Sequence, residues 1–261
     1  MVAISALPCS YAKAWSPSDM QAPLTVWYKA DSISGSDGSS VASWEDSSGN
    51  TNTVVQFTTA RRPKLQTNEL NGYSVLRFDG SNDILSDGDI AALDVGSGDI
   101  WMAVVFKSTD DSGSQFFFEK EPTSFALMTT AAGELQARLG STTNIPKQNS
   151  GNWSRTGFVI ATAFRSSSTC SGFVNGSAMD TTGTTNTAKI NNTSVLDIGA
   201  TAVGGNPMTG DIAEILIGGG TITEKELKAV EGYLADKYGL RINLLSTHKF
   251  KKGKPWGLGK K

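Results

Sequence analysis

Oxygen-bearing side chains crowd the segment FDGSNDILSDGDI (residues 78–90), which holds Asp79, Asn82 and Asp83 within five positions and then Asp87 and Asp89. Hard cations such as Ca2+ take clustered carboxylate and amide oxygens as ligands, so Asp79, Asn82 and Asp83 form a candidate metal site. Asp-Gly and Ser-Asn-Asp are also common turn chemistry, in which the side chain bonds its own backbone, and the spacing fits no EF-hand loop. A second acidic pair, Glu119 and Glu121 in FFFEKEP, stands two residues apart. On a strand that spacing puts both carboxylates on one face, as cleavage of a glycosidic bond by two acids requires. Pro122 follows at once, and a solvated turn at a strand end is the competing reading.

Sugar recognition needs an exposed aromatic as a stacking platform with polar groups beside it. Trp153 in NSGNWSRTG follows a Gly-Asn turn and is the candidate carbohydrate contact, against the alternative that it packs beneath a loop. Trp101 in GDIWMAVVF begins an apolar run and reads as core. His248, the one histidine, lies in a basic segment without an orienting acid nearby and reads as a solvated or interface residue rather than a triad member. IGGGTIT leads into a helix but lacks the Lys-Ser/Thr of a phosphate loop and the spacing of a dinucleotide fingerprint. The chain is therefore expected not to be an enzyme and to need no cofactor, Ca2+ aside.

The elements that must carry these residues are mostly strands. Runs of β-branched and aromatic residues bounded by turn residues recur through the chain, among them residues 24–30, 53–57, 73–78, 99–107, 114–120, 134–139, 157–164, 171–176, 195–199 and 212–218. Asn175-Gly176 marks a type I′ hairpin, whose two central positions need positive φ. Ten or more such strands imply two packed antiparallel sheets. One helix stands apart: Thr223 and Glu226 make a capping box, Leu227, Val230, Leu234 and Tyr238 follow at helical spacing, and Gly239 terminates it. A fold of 261 residues buries roughly 70–75% of its unfolded surface and needs no disulfide. Cys9 and Cys170 read as two free buried thiols, one bridge between them being the alternative. No apolar run reaches the ~20 residues of a membrane span, and MVAISALPCSYAKAW lacks the basic start of a signal peptide.

Three ordered blocks then resemble one family. LTVWYKADSISGSDGSSVASWEDSSGN (residues 24–50) carries Trp27, Lys29, Asp31, Trp44, Asp46, Gly49 and Asn50. RRPKLQTNELNGYSVLRFDGSNDIL (residues 61–85) carries Pro63, Gly72, Arg77, Phe78, Asp79, Gly80 and Asp83. The closing strand and helix carry Asp211, Ala213, Glu214, Tyr233, Lys237, Tyr238 and Gly239. These blocks resemble the laminin-G-like or concanavalin A-like jelly rolls of secreted bacterial proteins and bacteriophage structural proteins. The resemblance implies an all-β, antiparallel two-sheet jelly-roll sandwich with one short C-terminal helix and extended terminal arms. It says little about function, because the fold hosts lectins, glycosidases, adhesion modules and virion parts. Its hydrolytic members use a Glu-x-Asp-x-x-Glu pattern that is absent here.

Composition divides the chain into an N-terminal arm (1–23), a jelly-roll body (24–239) and a basic tail (240–261). The tail holds Arg241, Lys249, Lys251, Lys252, Lys254, Lys260 and Lys261 and no acid, a charge of +7, which leaves −9 on the rest. With Trp256 as a bulky anchor, Arg241, Lys249, Lys251, Lys252 and Lys254 are expected to bind acidic partner surfaces, copies of the chain among them. Nucleic acid is a poor partner for so acidic a body. The resemblance and the arms together imply a structural protein of a bacteriophage virion, decorating the capsid or forming a knob or fibre, with other capsid proteins as partners. The alternative is a lectin-like carbohydrate-binding module, secreted or surface-borne, that holds a host polysaccharide.

Overall fold

The structure, a computed structural model, describes residues 15–109, 113–120, 125–191, 193–201 and 205–253. In chain order its strands are β1 (Val26–Lys29), β2 (Ser43–Trp44), β3 (Val54–Val55), β4 (Lys64–Leu70), β5 (Tyr73–Asp79), β6 (Leu85–Ser86), β7 (Ile100–Ser108), β8 (Gln115–Lys120) and β9 (Phe125–Thr129). They continue with β10 (Leu135–Leu139), β11 (Lys147–Gln148), β12 (Val159–Ser166), β13 (Thr169–Val174), β14 (Ser177–Ala178), β15 (Thr184–Thr185), β16 (Leu196–Ile198) and β17 (Thr209–Gly219). The α-helix of the described residues, α1, spans Glu224–Lys237.

Two antiparallel sheets result, as the alternating sequence pattern requires. The first runs β14-β13-β12-β7-β17-β5-β4, with β1 paired to β17 and β15 to β13. The second runs β11-β10-β9-β8-β16-β6-β3-β2. Between them lies a core that includes Tyr28, Trp44, Phe78, Phe106, Phe117, Phe118 and Ile215. Trp44 is fully buried against Tyr28, their rings 5.5 Å apart, so the SWEDSSGN block is a structural corner. Asp46 holds that corner by accepting from the backbone N–H groups of Trp27, Ser48 and Asn52.

The first sheet is apolar on both faces because α1 covers its outer side. Val75, Trp101, Val105, Ile160 and Leu216 pack there against Leu227, Val230, Leu234 and Tyr238. The helix starts as its sequence predicts: Thr223 accepts from Glu226 N–H and Glu226 reaches back to the N-cap. A buried acid anchors its far end. Glu214 on β17 accepts from Trp27 Nε1 at 2.5 Å, Tyr238 Oη at 2.7 Å and Lys237 Nζ at 2.8 Å, and Lys237 also reaches Asp31 at 2.8 Å. Residues from two of the resemblance blocks, one at either end of the body, thus meet in one polar knot under the helix.

Local signals read well elsewhere. Asn175 and Gly176 both have positive φ, 51° and 74°, and turn β13 into β14. The polar strand β4 (KLQTNEL) and the strand β9 (FALMT) went unpredicted. β4 pairs on one side with β5 at the sheet edge and keeps much of its surface in solvent, so it carries no strong apolar pattern. Cys170 is a buried free thiol whose pKa burial pushes up to about 11, and Cys9 lies outside the described residues.

The terminal arms differ from expectation. Trp15 stacks edge-on against Tyr233 at 6.3 Å, and the backbone N–H groups of Gln21 and Ala22 donate to Glu226. At the other end Leu240, Leu244, His248 and Phe250 are buried, so packing runs past residue 239. His248, read as a solvated or interface residue, is buried and places Nε2 2.9 Å from Glu231 Oε2, while its Nδ1 accepts from Phe250 N–H. Thr162 Oγ1 donates to the other oxygen of Glu231 at 2.6 Å. The partner that orients His248 comes from α1, 17 residues earlier, and no local window reveals it.

Candidate functional site

The second sheet has its inner face in the core and, among the described residues, no α-helix on its outer face. Directly opposed residues share a face, so the strand register defines a row across it: Ser43, Val55, Ser86, Asp197, Glu119, Ala126 and Arg138. Their neighbours Trp44, Val54, Leu85, Leu196, Phe118, Phe125 and Leu139 all belong to the core, so the row points away from it. The row pairs carboxylates with hydroxyls and a guanidinium. Asp197 accepts from Ser86 Oγ at 2.5 Å. Burial holds its carboxyl above the usual range, opposed by the Ser86 bond and by Arg61. Burial also lowers the Arg138 pKa, with Glu119 opposing. Beside Ser43, Glu45 accepts from Ser43 Oγ and Thr53 Oγ1, and these bonds hold its carboxyl below its ordinary value.

The row is closed at one end and open at the other. Glu119 and Asp197 are 1% and 3% exposed, and Phe116, Ala126 and Met128 make a small buried cluster beside them. Ser43, Val55 and Ser86 are partly open to solvent. Past them stands Phe57, two residues beyond Val55 and 86% exposed, the one aromatic among the described residues that faces mainly solvent. Its backbone is held. Arg62 donates through Nε to the Gln56 carbonyl at 2.7 Å and through its terminal nitrogen to the Phe57 carbonyl at 3.0 Å. Gln56 bonds Thr58 N–H and the Ile84 carbonyl through its amide. A water-exposed ring on a held backbone, at the hydroxyl-bearing end of a sheet face, is an arrangement a sugar ring can stack on, since ordering the backbone then costs little on binding.

The residues singled out from sequence fall elsewhere. Trp153 is 8% exposed, its Nε1 donates to the Gly133 carbonyl at 3.2 Å, and its ring lies 5.9 Å from Phe106 in the core. With its edge bonded and its faces packed, the ring offers no stacking surface. Trp101 is fully buried, as read. Glu119 faces Asp197 across the sheet and is 1% exposed, and Glu121 lies outside the described residues.

Asp79, Asn82 and Asp83 do come together, but around backbone. Asp79 Oδ1 accepts from Ser81 and Asn82 N–H, and Asp83 Oδ2 from Asp79 N–H. Burial and the neighbouring Asp79 push the Asp83 pKa up to about 6. Arg61 donates to the Asn82 carbonyl. Calcium takes six to eight oxygens, and a set with two committed carboxylates and a guanidinium at its margin does not fit it. Among the described residues no three His, Cys, Asp or Glu side chains are placed to share a metal ion.

The basic tail also turns inward. Arg241 pairs with Asp236 at 2.6 Å, and Lys251 Nζ donates to the Ile242 and Leu244 carbonyls at 2.5 and 2.8 Å. Lys249 lies over the Phe250 ring at 5.5 Å. Lys252 is exposed, and Lys254 and Trp256 lie outside the described residues. Arg241 and Lys251 are thus spent on packing their own segment.

Phe57 was missed because TVVQF reads as one strand. The available signal was its alternation: if Val54 faces the core, Val55 and Phe57 face away from it.

The family model of the concanavalin A-like lectin/glucanases superfamily, laminin G type, matches residues 89–228, just over half of the 261. The chain belongs to this superfamily. No curated protein matches it in sequence. Among solved structures it is similar to Trypanosoma rangeli sialidase in complex with sialic acid, with 13% identity and a TM-score of 0.58 over 87% of this chain and 36% of that one. The chain therefore spans only about a third of that sialidase. It is also similar to domain 4 of AbnA, a GH43 extracellular arabinanase of Geobacillus stearothermophilus, in complex with arabinotriose, with 15% identity and a TM-score of 0.51 over 78% of this chain and 96% of that one. At such identities the likeness establishes the shared jelly-roll fold. None of these relatives is described as a virion component. No described helix is long and apolar enough to cross a membrane.

Proposed function

We propose that this superfamily member is a non-catalytic carbohydrate-binding module, and that it holds its glycan on the open end of the second sheet's outer face. The observation that carries this reading is Phe57, an 86% exposed ring on a backbone clamped by Arg62, two residues beyond Val55, whose cross-strand partners are Ser43 and Ser86. The arabinanase domain, bound to arabinotriose and matched over nearly its whole length, supports a saccharide as the ligand over a capsid protein. Stacking one ring face removes ~50–100 Å2 of apolar surface from water, worth about 1–2.5 kcal/mol, or roughly a fivefold to seventyfold change in affinity. Phe57→Ala should therefore weaken binding on a glycan array by that factor and leave the melting temperature unchanged, since the ring supports no packing. An array that stays silent for the intact protein, or binding that Phe57→Ala leaves untouched, refutes this assignment.

A further inference from the structure

Among the described residues four large apolar side chains are exposed, Phe57, Val195, Ile242 and Leu245, and two of the four fall within one short segment after α1. Ile242 is 80% and Leu245 43% exposed, while Leu240, Leu244, His248 and Phe250 of the same segment are buried. Lys249 and Lys252 follow in the chain and are exposed. The sequence runs on as KPWGLGKK (residues 254–261), so from Leu240 onward it carries seven cations and no acid.

The segment is anchored on the first sheet's side of the molecule. Leu245 N–H donates to the Asn175 carbonyl at 3.0 Å, and His248 Nε2 meets Glu231 of α1. The Phe250 ring lies so close on α1 that a Cβ on Gly232 would come within 2.5 Å of it. Lys251 Nζ closes the loop by donating to the Ile242 and Leu244 carbonyls. The backbone is thus held before any partner arrives, and it displays Ile242 and Leu245 to water. Because α1 covers the outer side of the first sheet, this segment stands on the opposite side of the sandwich from the face that carries Phe57.

We infer that this segment docks on a bilayer surface that contains anionic phospholipid, with Ile242 and Leu245 inserted among the headgroups and Lys249 and Lys252 against the lipid phosphates. The inference is independent of the glycan reading. Two aliphatic side chains are a small part of the ~800 Å2 that each side of a standard protein interface buries, so a second copy or another protein gains little from them. A lipid surface asks for less: it needs no complementary shape, takes aliphatic side chains into its acyl boundary, and rewards each lysine near an anionic leaflet with roughly fivefold in affinity. The −9 on the rest of the chain opposes docking little, because charges more than about 8 Å from the surface are screened at physiological salt. It does set the orientation: the acidic body turns away from the lipid, and the Phe57 face points to solution.

The test is co-sedimentation of the intact chain with vesicles of phosphatidylcholine alone and of phosphatidylcholine mixed with phosphatidylglycerol. The expected result is binding to the mixed vesicles that weakens as salt rises and falls at least about tenfold without phosphatidylglycerol. Ile242→Ser should lower the partition coefficient roughly tenfold, and Lys249→Ala together with Lys252→Ala roughly thirtyfold. These positions are exposed, so the variants keep the melting temperature of the intact chain, and Phe57→Ala keeps its lipid binding. Equal binding to both kinds of vesicle, binding to neither, or binding that Ile242→Ser and the lysine pair leave unchanged overturns the inference, as does lipid binding that Phe57→Ala removes. Sedimentation velocity without vesicles tests the other occupant: self-association that Ile242→Ser abolishes makes the segment a contact between copies and overturns lipid docking.

Discussion

Glu214 offers the sharpest test of how the helix is held. It is fully buried on β17 and its carboxylate satisfies Trp27 Nε1, Tyr238 Oη and Lys237 Nζ together. Glu214→Leu keeps the volume and removes the acceptor. Breaking a buried pair by deleting one partner costs about 3–5 kcal/mol, and each stranded neutral donor adds to that cost. Lys237 keeps Asp31 at 2.8 Å, so the lower part of that range applies, about 3–4 kcal/mol. At about 2–4 °C per kcal/mol for a domain of this size, melting should fall by roughly 6–16 °C. Urea unfolding followed by tryptophan fluorescence measures the loss directly. Lys237→Met should also destabilise, and the double variant should recover at least about 1 kcal/mol relative to the sum of the two, because the pair is removed together. A Glu214→Leu loss below about 1 kcal/mol, or strict additivity in the double variant, would mean that apolar packing alone docks the helix.

Three further outcomes are expected. Trp44→Ala empties the centre of the core against Tyr28 and should cost about 3–5 kcal/mol in denaturant unfolding, while leaving the Phe57 surface and its ligand affinity intact once the protein is folded. Asp83 has a folded pKa of about 6, above its ordinary 3.8, so the folded state binds its proton more tightly than the unfolded chain. Its contribution to stability is therefore present below the unfolded value and lost as pH rises through 6; Asp83→Asn should stabilise the protein at pH 7–8 and lose most of that advantage by pH 4, and a pH-independent difference would refute the assignment. His248→Ala removes the partner of Glu231 Oε2, leaving that carboxylate with Thr162 alone, and loosens Phe250, so limited proteolysis should begin cutting near residues 245–253. An unchanged digestion pattern would show that the segment is held without the histidine.

Where the physics is local, the residues alone determine the outcome. Apolar runs with period two become strands, the Thr223–Glu226 capping box starts α1, and Asn175-Gly176 turns a hairpin, because each depends only on neighbours within a few positions. The ordered blocks from Trp27 to Gly239 likewise identify the sandwich, since one architecture needs all of them in that order. Exposure is decided by what arrives from elsewhere in the chain. Trp153, after a turn, is roofed by the core around Phe106, whereas Phe57, inside an apparent strand, is left 86% exposed. Tertiary folding alone supplies the 187-residue span that brings Glu214 to Trp27 and the helix that buries His248. Side-chain type states what chemistry a residue can do; only packing decides whether water, a sugar or the protein's own backbone receives it.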